Sequence, residues 1–107
     1  MPAILNQLQS ADELDTLFKR SYDRPVLLLK HSSSCGTSLD IFYQLKEINA
    51  EINYVVVQQH RALSNAVEDR VGHRHHSPQA FILKDGEVVY HATHYGIDPV
   101  AIEQHLL

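Results

Sequence analysis

The chain has 107 residues, 44% hydrophobic and 21% charged, with a formal net charge of −4. That size suits one small domain over residues 1–107 with a core that needs no disulfide staples. The acidic balance without any basic stripe excludes a nucleic-acid footprint, and no run approaches the ~18 apolar residues of a membrane span.

Met1-Pro2-Ala3-Ile4-Leu5-Asn6 lacks the basic and long apolar regions of a signal peptide, so none is expected. Ile4 to Leu8 reads as a short first strand. Ser10 and Glu13 then have capping-box spacing, and Leu14, Leu17 and Phe18 follow at helical intervals. This helix is expected to end near Tyr22, because the residue before Pro25 disfavours the α region. Val26 to Lys30 is a continuous apolar run, the pattern of a strand buried on both faces. After Cys35, the residues Leu39, Phe42, Leu45 and Ile48, widened by Ile41, mark a second amphipathic helix. Tyr54 to Val57 is another buried strand, and Leu63, Ala66, Val67 and Val71 a third helix stopped by Gly72.

Phe81-Ile82-Leu83 and Val88-Val89-Tyr90 flank Asp85-Gly86, a strong hairpin signal. Asp98 and Pro99 have N-cap and first-turn character before a last helix carrying Ile102 and Leu106. The fold class is therefore α/β, in the order β-α-β-α-β-α-β-β-α. Such an order predicts a central mixed sheet with helices on both faces and an antiparallel hairpin at one edge. In these sheets, sites lie beyond the carboxyl ends of the central strands.

Cys35, the only cysteine, falls at that corner. It lies between Ser32-Ser33-Ser34 and Gly36-Thr37-Ser38 and so belongs to no apolar periodic pattern. A buried, inert thiol is the common state of a free cysteine, but this position argues for a nucleophile. Unpaired N–H groups and the partial positive charge of a helix N-terminus favour thiolate over thiol. A single unpaired cysteine also fits a reducing, cytoplasmic compartment. Ser38 stands where a dithiol oxidoreductase would have its second cysteine. Its hydroxyl either bonds to nearby backbone or donates to the Cys35 thiolate; in neither case can it resolve a mixed disulfide, so resolution must come from an external thiol.

Ser77-Pro78 precedes the hairpin, a permitted place for proline at a strand start. A cis bond there would turn the Ser77 backbone toward an extended substrate. His73, His75 and His76 form a dense cluster, with His31 and His94 at strand ends. Spacing on one turn does not converge three rings on one ion, so no metal is predicted, and a polar rim around the site is the preferred reading. Lys30 and these histidines are candidates for attracting substrate carboxylates.

Together these segments carry a family resemblance. Lys30-His31-Ser32 leading to Cys35, then His60-Arg61-Ala62-Leu63-Ser64-Asn65, His76-Ser77-Pro78-Gln79-Ala80 and His91-Ala92-Thr93-His94 resemble the YtxJ-type monothiol bacilliredoxins, and they span most of the chain in matching order. The resemblance implies a thioredoxin-like fold and thiol-disulfide exchange that removes bacillithiol from protein mixed disulfides. It implies Cys35 as nucleophile, Ser38 in place of a resolving cysteine, and Pro78 as a cis-proline. Gly36, Thr37, Ser77, Pro78 and His94 then contact substrate. Bacillithiol would be the co-substrate thiol, bacillithiolated proteins the clients, and the chain a monomer. Gly36 departs from the Cys-Pro-Ile-Ser-like motif expected of that family. It is similar instead to the Cys-Gly-Phe-Ser monothiol glutaredoxins, which leaves an iron–sulfur carrier as the alternative, beside an interaction module without redox activity.

Overall fold

The computed structural model describes residues 2–107. Strands β1 (Ile4–Gln7), β2 (Val26–His31), β3 (Glu51–Val56), β4 (Gln79–Lys84) and β5 (Glu87–Thr93) alternate with helices α1 (Ala11–Arg20), α2 (Gly36–Leu45) and α3 (Arg61–Val71), and α4 (Pro99–His105) closes the chain. The strands form one sheet in the order β1-β3-β2-β4-β5. β1, β3 and β2 run parallel, while β4 is antiparallel to β2 and to β5. The expected element order and mixed sheet are both present.

β2 lies in the middle of the sheet, and its alternation divides the core. Val26 and Leu28 pack with Leu14, Leu17 and Phe18 of α1 and Leu63 and Val67 of α3. Leu27 and Leu29 pack on the other face with Ile41 and Leu45 of α2 and Ile102 of α4. Covering both faces of β2 explains its unbroken apolar run.

Local signals set most element ends. Ser10 Oγ accepts the Glu13 N–H at 3.2 Å, while Glu13 reaches back to the Gln9 N–H at 3.3 Å, one residue earlier than the usual reciprocal bond. α1 stops at Arg20, two residues before the expected Tyr22, where the Ser21 N–H bonds to both Leu17 and Phe18 carbonyls. Gly72 ends α3 at φ +73°, a left-handed conformation that suits glycine. Asp85 and Gly86 take φ of 55° and 77°, as a two-residue hairpin turn requires. The Asp98 side chain caps the Val100 N–H at 3.0 Å.

The helical stripe after Cys35 differs from expectation. Ser38, Ile41 and Leu45 form the buried face of α2, Phe42 is half-buried, and Leu39 is 45% exposed. Leu39 lies about 100° around the helix from Ser38, which the N-terminal turn anchors inward. The helix ends at Leu45, and Ile48 enters the core from the following turn.

Candidate functional site

β2 carries the chain to the carboxyl edge of the sheet, and Ser32 to Ser34 turn it into α2. Cys35 is the N-cap of α2, extended at φ −99° and ψ 121°, and half-buried. Its sulfur accepts no capping bond from the helix N–H groups. Sγ lies 3.9 Å from the Ser77 carbonyl oxygen, within reach of a weak S–H···O bond. The Ser77–Pro78 peptide bond is cis. The Pro78 carbonyl accepts the His94 N–H at 3.0 Å, so the turn after β5 closes over the start of β4. The folded chain thus brings together Cys35, Ser77, Pro78 and His94 from three separate segments. The Ser77 hydroxyl is buried without a hydrogen-bond partner among the described residues.

Gly36 is the first helical residue and is exposed; a Cβ added there would meet nothing within 4 Å. Thr37 is half-buried beside it. Ser38 is wholly buried, and its Oγ accepts the Ser32 N–H at 2.9 Å and meets His31 Nδ1 at 2.9 Å. Of the two readings of this hydroxyl, the structure follows the backbone bond and adds a histidine. His31 stacks on Phe42 with ring centroids 4.4 Å apart. Burial, with a smaller effect from Lys46, holds His31 below the usual imidazole range, which favours the neutral ring.

Three side chains around the site, Gln58, Tyr95 and Gln79, have no role assigned from the sequence. Gln58, just past β3, donates to Ser32 Oγ at 2.6 Å and Ser34 Oγ at 2.9 Å while accepting the Ser33 N–H at 3.2 Å. One side chain therefore pins the whole turn before Cys35. Tyr95 OH donates to Asp40 Oδ2 at 2.8 Å, joining the turn after β5 to α2. This carboxylate, ahead of any other cause, raises the Tyr95 pKa. Gln79 donates to the Arg74 carbonyl at 2.9 Å and meets His91 Nε2 at 2.9 Å. Position directly after a buried strand is the only sequence signal for Gln58, and it does not identify a partner.

The histidine rim is resolved into pairs. His73 stacks on His91 at 4.0 Å, His76 lies edge-on to His94 at 5.7 Å, and His75 Nδ1 meets Lys30 Nζ at 3.0 Å. Lys30 is wholly buried, which corrects the expectation that it attracts substrate carboxylates: its ammonium is withheld from any ligand in solvent. Among the described residues, no three His, Cys, Asp or Glu side chains gather to hold a metal ion. A cavity of about 430 Å³ lined by Arg20, Arg24, Pro25 and Val26 lies at the opposite end of β2 from Cys35. Thiol exchange depends on access to a sulfur rather than on an enclosed volume, so the corner at Cys35, and not this cavity, is the candidate site.

A five-stranded mixed sheet with a half-buried cysteine at the N-cap position of a helix, beside the Ser77–Pro78 turn, is the arrangement of a thioredoxin-fold protein, and family and fold together support a thiol redox role. The chain matches the model of the monothiol bacilliredoxin BrxC family over residues 6–102 and belongs to that family. Among solved structures it is similar to a protein described as a candidate oxidoreductase with a thioredoxin fold, at 30% identity and a TM-score of 0.84, over 95% of this chain and 93% of that one. It also resembles the reduced thioredoxin pre-protein of Schistosoma mansoni, at 18% identity and a TM-score of 0.75, over 97% and 99% of the two chains. Thioredoxin NaTrxh of Nicotiana alata matches at 13% identity and a TM-score of 0.75, over 100% and 96%. The two thioredoxins speak for the fold alone.

Proposed function

We propose that this protein removes bacillithiol from protein mixed disulfides by monothiol exchange, with Cys35 as the nucleophile. The Cys35 thiolate attacks the bacillithiol sulfur of a client's mixed disulfide. One S–S bond breaks as another forms, the client leaves as its thiolate, and Cys35 becomes bacillithiolated. A low-molecular-weight thiolate then attacks that adduct, releasing Cys35 and forming a small-molecule disulfide.

The observation that carries this reading is the position of Cys35: an accessible sulfur at a helix N-cap, 3.9 Å from a main-chain carbonyl, with serine three residues on. Gly36 and Thr37 adjoin the sulfur as the first residues of α2, and the Ser77 main chain aligns the client by strand-like hydrogen bonds. Pro78 and His94 form the adjoining wall, where the His94 N–H to Pro78 oxygen bond supports the turn. Ser38 supplies no second thiol, so each cycle ends with an external one. In this reading the chain works as a monomeric single domain in the cytoplasm, on protein clients and a small thiol. Among the described residues, no helix is long and apolar enough to cross a membrane.

Intact mass spectrometry tests it. The protein is mixed with one model substrate carrying bacillithiol and another carrying glutathione. A bacillithiol adduct on Cys35, with stoichiometric release of substrate thiol, is expected to form faster than the glutathione adduct. Uptake of neither adduct by a folded protein would overturn the proposal.

A further inference from the structure

Lys30 is the least expected side chain in the core. The alternation of β2 puts it on the same face as Val26 and Leu28, and none of its surface is exposed. A buried ammonium is costly unless something answers it. Among the described residues, no carboxylate forms a salt bridge with it. Its side-chain partner is His75 Nδ1, 3.0 Å away and 45 residues later.

His75 belongs to the turn between α3 and β4, two residues before Ser77. Its main-chain N–H donates to Glu68 Oε2 on α3 at 2.7 Å, so this turn is tied to β2 by the ring and to α3 by the backbone. Lys30 is also the register partner of Gln79, whose side chain bonds to the Arg74 carbonyl and accepts the His76 N–H at 3.3 Å. The turn that brings the Ser77 carbonyl to Cys35 is therefore anchored through residues on either side of Ser77 itself.

We propose that Lys30 and His75 are a positioning pair for thiol exchange, their contact holding the Ser77 main chain in place against Cys35 for an incoming client. This rests on the thiol-exchange reading above and adds its regulation by protons. At 3.0 Å the two nitrogens share one proton, either as an ammonium donating to a neutral ring or as a ring N–H donating to an amine. A second proton makes both groups cationic and breaks the contact. The groups facing the pair favour the single-proton state. Burial lowers the Lys30 pKa, with Glu68 opposing. Burial, then Lys30, lowers that of His75; Glu68 opposes, and His76 and Arg61 lower it further. Acidification thus loosens the turn by charging His75.

The test compares wild type, His75→Ala, His75→Gln and Lys30→Met. One assay is exchange with a bacillithiolated protein; the other is alkylation of Cys35 by iodoacetamide, which needs no client alignment. His75→Ala is expected to raise KM for the protein substrate about tenfold and to leave alkylation within about twofold of wild type. Lys30→Met, with an apolar chain suited to that core position, should do the same. His75→Gln keeps an oxygen that accepts from Lys30 and takes no proton. It should retain the wild-type KM near neutrality and lose the rise in KM that wild type shows on acidification. A wild-type KM for His75→Ala at every pH, or an unchanged acid response in His75→Gln, would overturn the proposal while exchange itself stands. A wild-type chain that is alkylated yet exchanges with no protein mixed disulfide overturns the exchange reading, and the pair's role with it.

Discussion

Ser38 Oγ lies 2.9 Å from His31 Nδ1 and accepts the Ser32 N–H at 2.9 Å, which ties the first turn of α2 back to the end of β2. The residue three positions after Cys35 therefore stabilises the turn that presents it. Removing it leaves a buried N–H and a buried imidazole without their partner. Ser38→Ala is expected to lower stability by about 1–3 kcal/mol, read from urea unfolding. A substitution without effect on the midpoint would show that the network contributes nothing net.

Gly36 is open to the residue the family motif leads one to expect. It occupies the first helical position, Cys35 before it is extended at ψ 121°, and nothing lies within 4 Å of an added Cβ. Proline suits that position and requires an extended predecessor. Gly36→Pro should raise stability by about 0.4–1 kcal/mol, mainly by restricting the unfolded chain. Thermal unfolding of the two proteins checks it; a lower midpoint for the variant would contradict it.

Three imidazoles make stability depend on pH. Burial is the first cause lowering His31, His75 and His91, followed by Lys46 for His31, Lys30 for His75 and His73 for His91. As pH falls below about 6.5, the unfolded chain takes up these protons before the folded one does. Stability is thus fully present above that value and is lost as pH falls toward the lowered folded values. Urea midpoints measured from about pH 7.5 to about pH 5 should decline, and replacing all three histidines by glutamine should flatten the slope. An equal slope in the triple variant would assign the decline to other groups.

Gln58 bonds to Ser32, Ser33 and Ser34 from an exposed position. Gln58→Ala should speed amide exchange in the turn before Cys35 while changing global stability by less than about 1 kcal/mol. Unchanged protection at Ser33 would show that the turn holds its shape without this side chain.

Much of this architecture is legible in the chain because its signals are local. The Asp85-Gly86 turn, the Gly72 stop, the Asp98-Pro99 start and the apolar run of β2 each act within a few residues, and each is where the spacing puts it. Helix α2 shows the limit. Leu39 and Ile41 are both apolar, and only packing against the sheet turns Ile41 inward and leaves Leu39 exposed.

By itself, the sequence determined the order of elements, the corner at which Cys35 stands and the absence of a second thiol in the chain. Those follow from periodicity, turn chemistry and a count of sulfurs. Only the tertiary structure decided which polar groups meet: Lys30 with His75, His31 with Ser38, Gln58 with the serine turn, and the Ser77 carbonyl with Cys35. Apart from the His31–Ser38 link, these contacts join residues 24 to 45 positions apart, and a buried polar group takes whichever partner the packed sheet brings within reach.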